Sequence, residues 1–301
     1  MFTSGPFLIF IAAILWGLDG ILRRSLYSLP PITIVFLEHL IGLVLIAPFF
    51  IRAFKKEKLA KNEWWAIGFV SLLSGVLGTL FFTTALAKVG FIAFSVVFFV
   101  QKLQPIFTVA TASIVLKEKV SKQYLLWAGL ALVAGYFVTF PGGVINFAEG
   151  KDHLMAALFA FLSAVAWGSS TAFSRYTLLG HSNTFITGMR FLITAPLALI
   201  GVFLLGKSSS IMQVTPGQYG YLFAIALSTG LVALWIYYKG LKKTPASVSA
   251  IVELAFPVTA IFIDYFLYDT TLAWSQYVAV VVLLFCAYKV AGMIRGGGEK
   301  L

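Results

Sequence analysis

The chain has 301 residues, 60% of them hydrophobic and 11% charged, with a formal net charge of +11 and a mean hydropathy of +0.96. Soluble domains carry about 25% charged residues, so a chain of this composition lacks the polar surface to dissolve as a globule. Its basic excess sits in short loops between apolar runs, where it marks membrane topology, and this pattern argues against nucleic acid as a partner.

Apolar runs close to the roughly 20 residues that cross a bilayer follow one another at 6–23, 31–51, 64–87, 91–116, 123–140, 153–175, 183–205, 217–239, 245–267 and 272–293. The first is preceded by no Lys or Arg and followed by no small-residue cleavage pattern, so a retained helix is expected rather than a signal peptide. It carries Trp16-Gly17 and a carboxylate, Asp19; the second run carries Glu38-His39. Small residues crowd the third run (Ser71 to Gly78) and the sixth (Ala156 to Ser170), permitting close helix approach in lipid. The fourth holds Gln101, Lys102 and Pro105, and the polar stretch after residue 140 is the natural linker. In the second half come Trp167-Gly168 in the sixth run, Arg190 in the seventh, and Glu253, Pro257 and Asp264 in the ninth. The lone cysteine, Cys286, excludes an intrachain disulfide and reads as a small core residue.

Counting Lys and Arg by side gives fifteen on the face that holds the N-terminus against five on the other, which predicts that both termini are cytoplasmic. The order of the motifs also repeats. Trp16-Gly17, Arg24 and Thr33 recur as Trp167-Gly168, Arg175 and Thr184 at a shift of 151, with His39 opposite Arg190. Ser74-Gly75 and Phe82 align with Thr229-Gly230 and Tyr237 at a shift of 155, and Pro105 aligns with Pro257. Five runs per half is an odd number, so the second copy enters the membrane upside down. The expected fold is therefore all-α, ten transmembrane helices in two inverted-topology five-helix repeats around a central cavity. The repeats span residues 1–140 and 153–295, with a linker at 141–152 and a tail at 296–301.

Intramembrane ionisable groups mark function, because each is expensive to keep in hydrocarbon. Pro105 and Pro257 free the carbonyls four residues earlier, at Gln101 and Glu253, so the two prolines mark either hinging helices around a cavity or structural kinks. Glu253 either pairs with Lys102 or faces substrate and exchanges a proton. Trp16 and Trp167, beside glycine in corresponding runs, suit an aromatic or apolar substrate as well as they suit core packing. Asp19, Glu38, His39, Arg190 and Asp264 are further buried charges, with coupling or structural roles open. Trp64, Trp65, Trp274 and Tyr277 read as interfacial belt residues. No Cys/His metal spacing, phosphate-binding loop or nucleophile–base set at one depth is found, so no metal, cofactor or enzymatic activity is expected.

Several motifs together resemble the EamA branch of the drug/metabolite transporter superfamily. They are Trp-Gly in the first and sixth runs, Ala85-Leu86-Ala87-Lys88, the stretch Gly240 to Ser247, Pro105 and Pro257, the turn Lys117 to Ser121, and Arg190-Phe191. The resemblance implies a cavity walled by both halves, and gradient-driven or exchange transport of a small metabolite across the cytoplasmic (inner) membrane. Glu38-His39, and Glu253 ahead of its proline, depart from the family pattern. The expected cargo is small, amphipathic or zwitterionic, bound by Trp16, Gln101, Lys102, Trp167 and Glu253. The other partner is the lipid bilayer, and a homodimer is allowed. The rival functions are a channel or lipid scramblase, whose flux would not saturate, a lipid-acting enzyme, and a helper subunit.

Overall fold

In lipid a backbone must satisfy its own polar groups, and a chain this apolar does so by coiling into helices. A computed structural model describes residues 4–88, 97, 100–144, 151–256, 259 and 273–296, all-helical with no strand among them. Helix α1 (Gly5–Gly17) breaks at Leu18 and resumes as α2 (Asp19–Arg24), the pair forming one span. There follow α3 (Pro31–Phe54), α4 (Lys61–Lys88), α5 (Gln104–Val115), α6 (Lys122–Thr139), α7 (Lys151–Gly180), α8 (Asn183–Leu204), α9 (Pro216–Leu241), α10 (Ala246–Glu253) and α11 (Trp274–Gly296).

Among the described residues, seven helices are long and apolar enough to cross a membrane, against ten expected runs. Of the other three runs, 91–116 and 245–267 extend into residues outside the described set, and 123–140 forms the 18-residue α6. Helix starts follow their sequence signals. Ser121, Ser182 and Thr215 each accept a bond from the backbone N–H three residues on, at 3.1–3.3 Å, and Pro216 follows the last of them at the first helical position. Outward-facing apolar side chains such as Val44, Ile114, Leu126 and Val281 are exposed, as lipid contact requires, and so are the belt residues Trp64, Trp65, Trp274 and Tyr277.

The packing exchanges the two halves. Helix α3 lies on α8, α6 on α11 and α5 on α10. Further contacts form a swapped pair: α1 packs on α9 and on α10, while α7 packs on α4 and on α5. Both α4 and α9 contain a wider π-helical stretch, at Ser71–Gly78 and Ala226–Gly230. These are the segments aligned by the shift of 155. Within the first, Ser74 O accepts the Trp167 indole N–H and the Thr79 hydroxyl, both at 3.1 Å.

The glycines after the two tryptophans have a steric cause. A Cβ at Gly168 would lie 2.6 Å from the backbone O of Gln104, and one at Gly17 would lie 2.8 Å from the backbone O of Phe256. Backbone cannot swing aside as a side chain does. Gly168→Val is therefore expected to destabilise by about 1–3 kcal/mol or more through overpacking, seen as a lower Tm of the purified protein; an unchanged Tm contradicts the contact.

Candidate functional site

The tryptophans freed to approach in this way wall a cavity between the halves. Trp16 stacks on Tyr237 (centroids 5.0 Å apart) and Trp167 on Phe82 (5.2 Å), each pair tilted. The pairs join α1 to α9 and α7 to α4, so one arrangement occurs twice, once per half. The cavity they line lies between the halves and is partly open at its mouth.

Its floor is built where two helices break. The chain turns at Lys102 and Leu103 before α5 starts, and it turns again at Leu254 and Ala255 after α10 ends. Pro105 thus stands in the first turn of a new helix, where its missing N–H costs nothing, rather than as a kink inside a continuous one. A chain of side-chain bonds crosses the gap. Gln101 Nε2 donates to Gln104 Oε1 (2.7 Å), Gln104 Nε2 to Glu253 Oε2 (3.0 Å), and Tyr237 Oη to Glu253 Oε1 (2.7 Å). Both carboxylate oxygens of Glu253 therefore have partners in this network, while Lys102 Nζ donates to Gly135 O at 3.3 Å. Of the two alternatives open from sequence, the Glu253–Lys102 ion pair is not among those found in the described residues.

A second charged group closes one end. Arg23, one of the five basic residues counted on the face opposite the N-terminus, is 4% exposed on α2 and sits between two carboxylates. It bonds Asp19 one helical turn away, and Glu38 on α3 at 2.8 Å. Asp19 also accepts from Thr229 in the π segment of α9. Deleting one member of a buried ion cluster strands the others, so Arg23→Met is expected to cost about 3–5 kcal/mol, read as loss of folded protein in detergent. Arg23→Lys, retaining the charge without the planar fork, falls between. His39, beside Glu38, bonds the Val35 carbonyl through Nδ1 (2.8 Å); a carbonyl only accepts, so Nδ1 carries the proton. Arg190 donates from Nη1 to Tyr238 Oη at 3.0 Å.

At the far end, outside the cavity, Glu118 in the turn before α6 covers the start of α10. It accepts from Ala246 N (2.8 Å), Ser247 N (3.0 Å) and Ser247 Oγ (2.8 Å), and pairs with Arg175 of α7 at 3.1 Å. Arg175 Nε also donates to Thr244 O at 2.7 Å. A carboxylate at a helix N-terminus is where the helix dipole favours it.

All the candidate residues within the described set line this one cavity: Trp16, Asp19, Glu38, His39, Gln101, Lys102, Pro105, Trp167, Arg190 and Glu253. Pro257 and Asp264 lie outside the described residues. Sequence reasoning passed over Arg23, Gln104, Tyr237, Tyr238 and Ser174, which line it too. Signals for some of them were present. Arg23 follows Asp19 by four residues, Gln104 follows Gln101 by three, and Tyr237 is the repeat partner of Phe82.

Comparison with known proteins places this architecture. The model of the EamA-like transporter family matches residues 3–140 and again 154–291. The chain belongs to the EamA-like transporter family. Like other members of that family it is a multi-pass membrane protein built from two repeats, and its relatives are transporters. It is 34% identical over 291 residues to the protein named riboflavin transporter ImpX of Fusobacterium nucleatum, covering 96% of this chain and 97% of that one. It is 24% identical over 256 residues to the uncharacterized transporter YyaM of Bacillus subtilis, covering 84% and 81%. A solved crystal structure superposes with a TM-score of 0.74 at 17% identity, covering 96% of each chain, a likeness of fold.

Proposed function

We propose that this EamA-family protein is a secondary carrier of a small amphipathic metabolite, cycling by alternating access, with riboflavin the first cargo to test. One observation carries the reading. Two aromatic pairs, Trp16–Tyr237 and Trp167–Phe82, wall a cavity whose floor is the polar chain from Gln101 to Tyr237. Planar aromatic cargo gains from stacking on such walls, while a polar edge or hydroxylated tail exchanges its water for the amide and carboxylate groups of the floor. The relative named a riboflavin transporter aligns over nearly the whole chain, and riboflavin has that division into planar ring and polar tail.

The fuller architecture belongs to the same proposal. Ten spanning helices form two inverted repeats, residues 1–140 and 153–295, joined by the linker 141–152 and followed by the tail 296–301. Both termini face the cytoplasm, and the membrane is the cytoplasmic (inner) one, in keeping with the fifteen-to-five distribution of Lys and Arg. The homodimer that the sequence allows belongs to the same proposal, and it would add stability or regulation. The test is uptake of labelled riboflavin into proteoliposomes. Saturable flux, competed by unlabelled riboflavin and absent from protein-free vesicles, is expected. Flux rising linearly with concentration would indicate a channel or scramblase, and no flux above empty vesicles would remove riboflavin as the cargo.

A further inference from the structure

Among the described residues, the buried and half-buried guanidinium groups are matched to carboxylates, with one exception. Arg23 lies between Asp19 and Glu38, and Arg175 lies against Glu118. Arg190 is 8% exposed and lines the cavity, yet none of the ion pairs among the described residues includes it. Its Nε is buried without a hydrogen-bond partner. Among the described residues the group makes one hydrogen bond, from Nη1 to Tyr238 Oη at 3.0 Å, with the guanidinium carbon 5.9 Å from the Tyr238 ring centroid.

A guanidinium carries five N–H donors and cannot neutralise itself by losing a proton. Burying one without an anion is costly, and an anion arriving from outside would offset that cost. Tyr238 Oη accepts from Arg190 and lies 3.2 Å from Ser174 Oγ, so two hydroxyls stand beside the cation as further polar partners. Nearby carboxylates are already engaged: Glu38 by Arg23, and Glu253 by Tyr237 and Gln104.

We infer that Arg190, with Tyr238 and Ser174 beside it, is an oxyanion subsite of the cavity that takes a carboxylate or phosphate carried by the cargo. The inference rests on the carrier reading above and extends its cargo class to planar aromatic molecules bearing one such group. Arg suits this role because its planar fork matches two oxygens of a carboxylate or phosphate at once.

Riboflavin and flavin mononucleotide share one ring system and differ by a phosphate, which makes them the matched probes; inorganic phosphate alone is the third. Binding is followed on the purified full-length protein by thermal shift and by quenching of flavin fluorescence, at constant ionic strength in chloride. Flavin mononucleotide is expected to bind roughly tenfold to a hundredfold more tightly than riboflavin, the range of a charge-assisted hydrogen bond. Inorganic phosphate is expected to raise the Tm beyond the same ionic strength of chloride. Arg190→Gln abolishes both the preference and the phosphate shift, and Arg190→Lys keeps part of each. Should Arg190→Gln fail to fold, Arg190→Lys and Tyr238→Phe serve in its place, each expected to reduce the preference severalfold. A phosphate shift lost in the variant, with neither flavin bound, upholds the subsite and removes the flavin reading. Riboflavin binding with no gain from phosphate, or a preference that persists in Arg190→Gln, overturns the subsite and leaves the flavin reading standing.

Discussion

Glu253→Ala is expected to abolish most saturable flux while leaving protein that still inserts and folds. Truncation leaves Tyr237 Oη and Gln104 Nε2 without their shared acceptor. A hydrogen bond to a charged group contributes about 1.5–3 kcal/mol, so removing the acceptor of two disorganises the floor, and a loss of roughly tenfold or more in cargo affinity is expected. Glu253→Gln separates charge from shape. Its carbonyl oxygen still accepts from Tyr237, but its NH2 then meets the Gln104 NH2, donor against donor, until one amide turns. A smaller loss of flux is expected than for alanine. If Glu253 also exchanges a proton during transport, the glutamine variant loses the pH dependence of flux as well. Wild-type flux from Glu253→Ala, per folded molecule, would remove the polar floor from the mechanism.

Glu118→Ala is expected to loosen the tie that Glu118 makes between the two halves beyond the cavity. The residue gathers two backbone N–H groups and a hydroxyl at the start of α10, and it pairs with Arg175 at the end of α7. It thereby ties a turn of the first half to two helices of the second. A carrier must break such a tie once in each cycle, and the side chain is buried enough that water does not replace it cheaply. Losing about 1.5–3 kcal/mol for even one charge-assisted bond moves an open–closed equilibrium by roughly tenfold to a hundredfold. The readout is a single cysteine at Ser174, a cavity position, in a Cys286→Ser background. Its labelling by a membrane-impermeant thiol reagent should accelerate by about tenfold or more in vesicles that expose the Glu118 end. A lowered Tm with unchanged labelling would make the tie structural only.

Much of this was legible in the chain because lipid imposes simple rules. Among the described residues, seven of the ten expected runs reappear as long apolar helices, since length and hydropathy decide spanning. Trp16-Gly17 and Trp167-Gly168 stood out as a repeated pair, and the structure supplies the cause: the glycine admits a neighbouring backbone, and the tryptophan lines the cavity. Gln101 and Glu253 were found through the prolines that follow them. What stayed hidden was rotation about helix axes. Helices in lipid are apolar nearly all round, so periodicity does not tell a cavity-facing tyrosine from a packed one, and Tyr237 and Tyr238 looked alike. Their neighbours give them different roles, one beneath Trp16 and on Glu253, the other on Arg190. Arg23 was misplaced for a related reason. At the end of an apolar run a basic residue reads as a loop charge, and only the meeting of α2 with α3 shows it buried between Asp19 and Glu38.

The central claim, that cargo passes through water enclosed between the two halves, is tested by one labelling measurement tied to flux. Single cysteines replace Gln104, inside the cavity, and Val44, on the outward face of α3 and 65% exposed. A charged, membrane-impermeant thiol reagent is applied, and transport is followed in the same vesicles. The cysteine at 104 should react and lose transport, with saturating cargo slowing the reaction, while the cysteine at 44 stays unmodified in lipid. Modification at 44 with none at 104, or full labelling of 104 with undiminished flux, would place the route elsewhere.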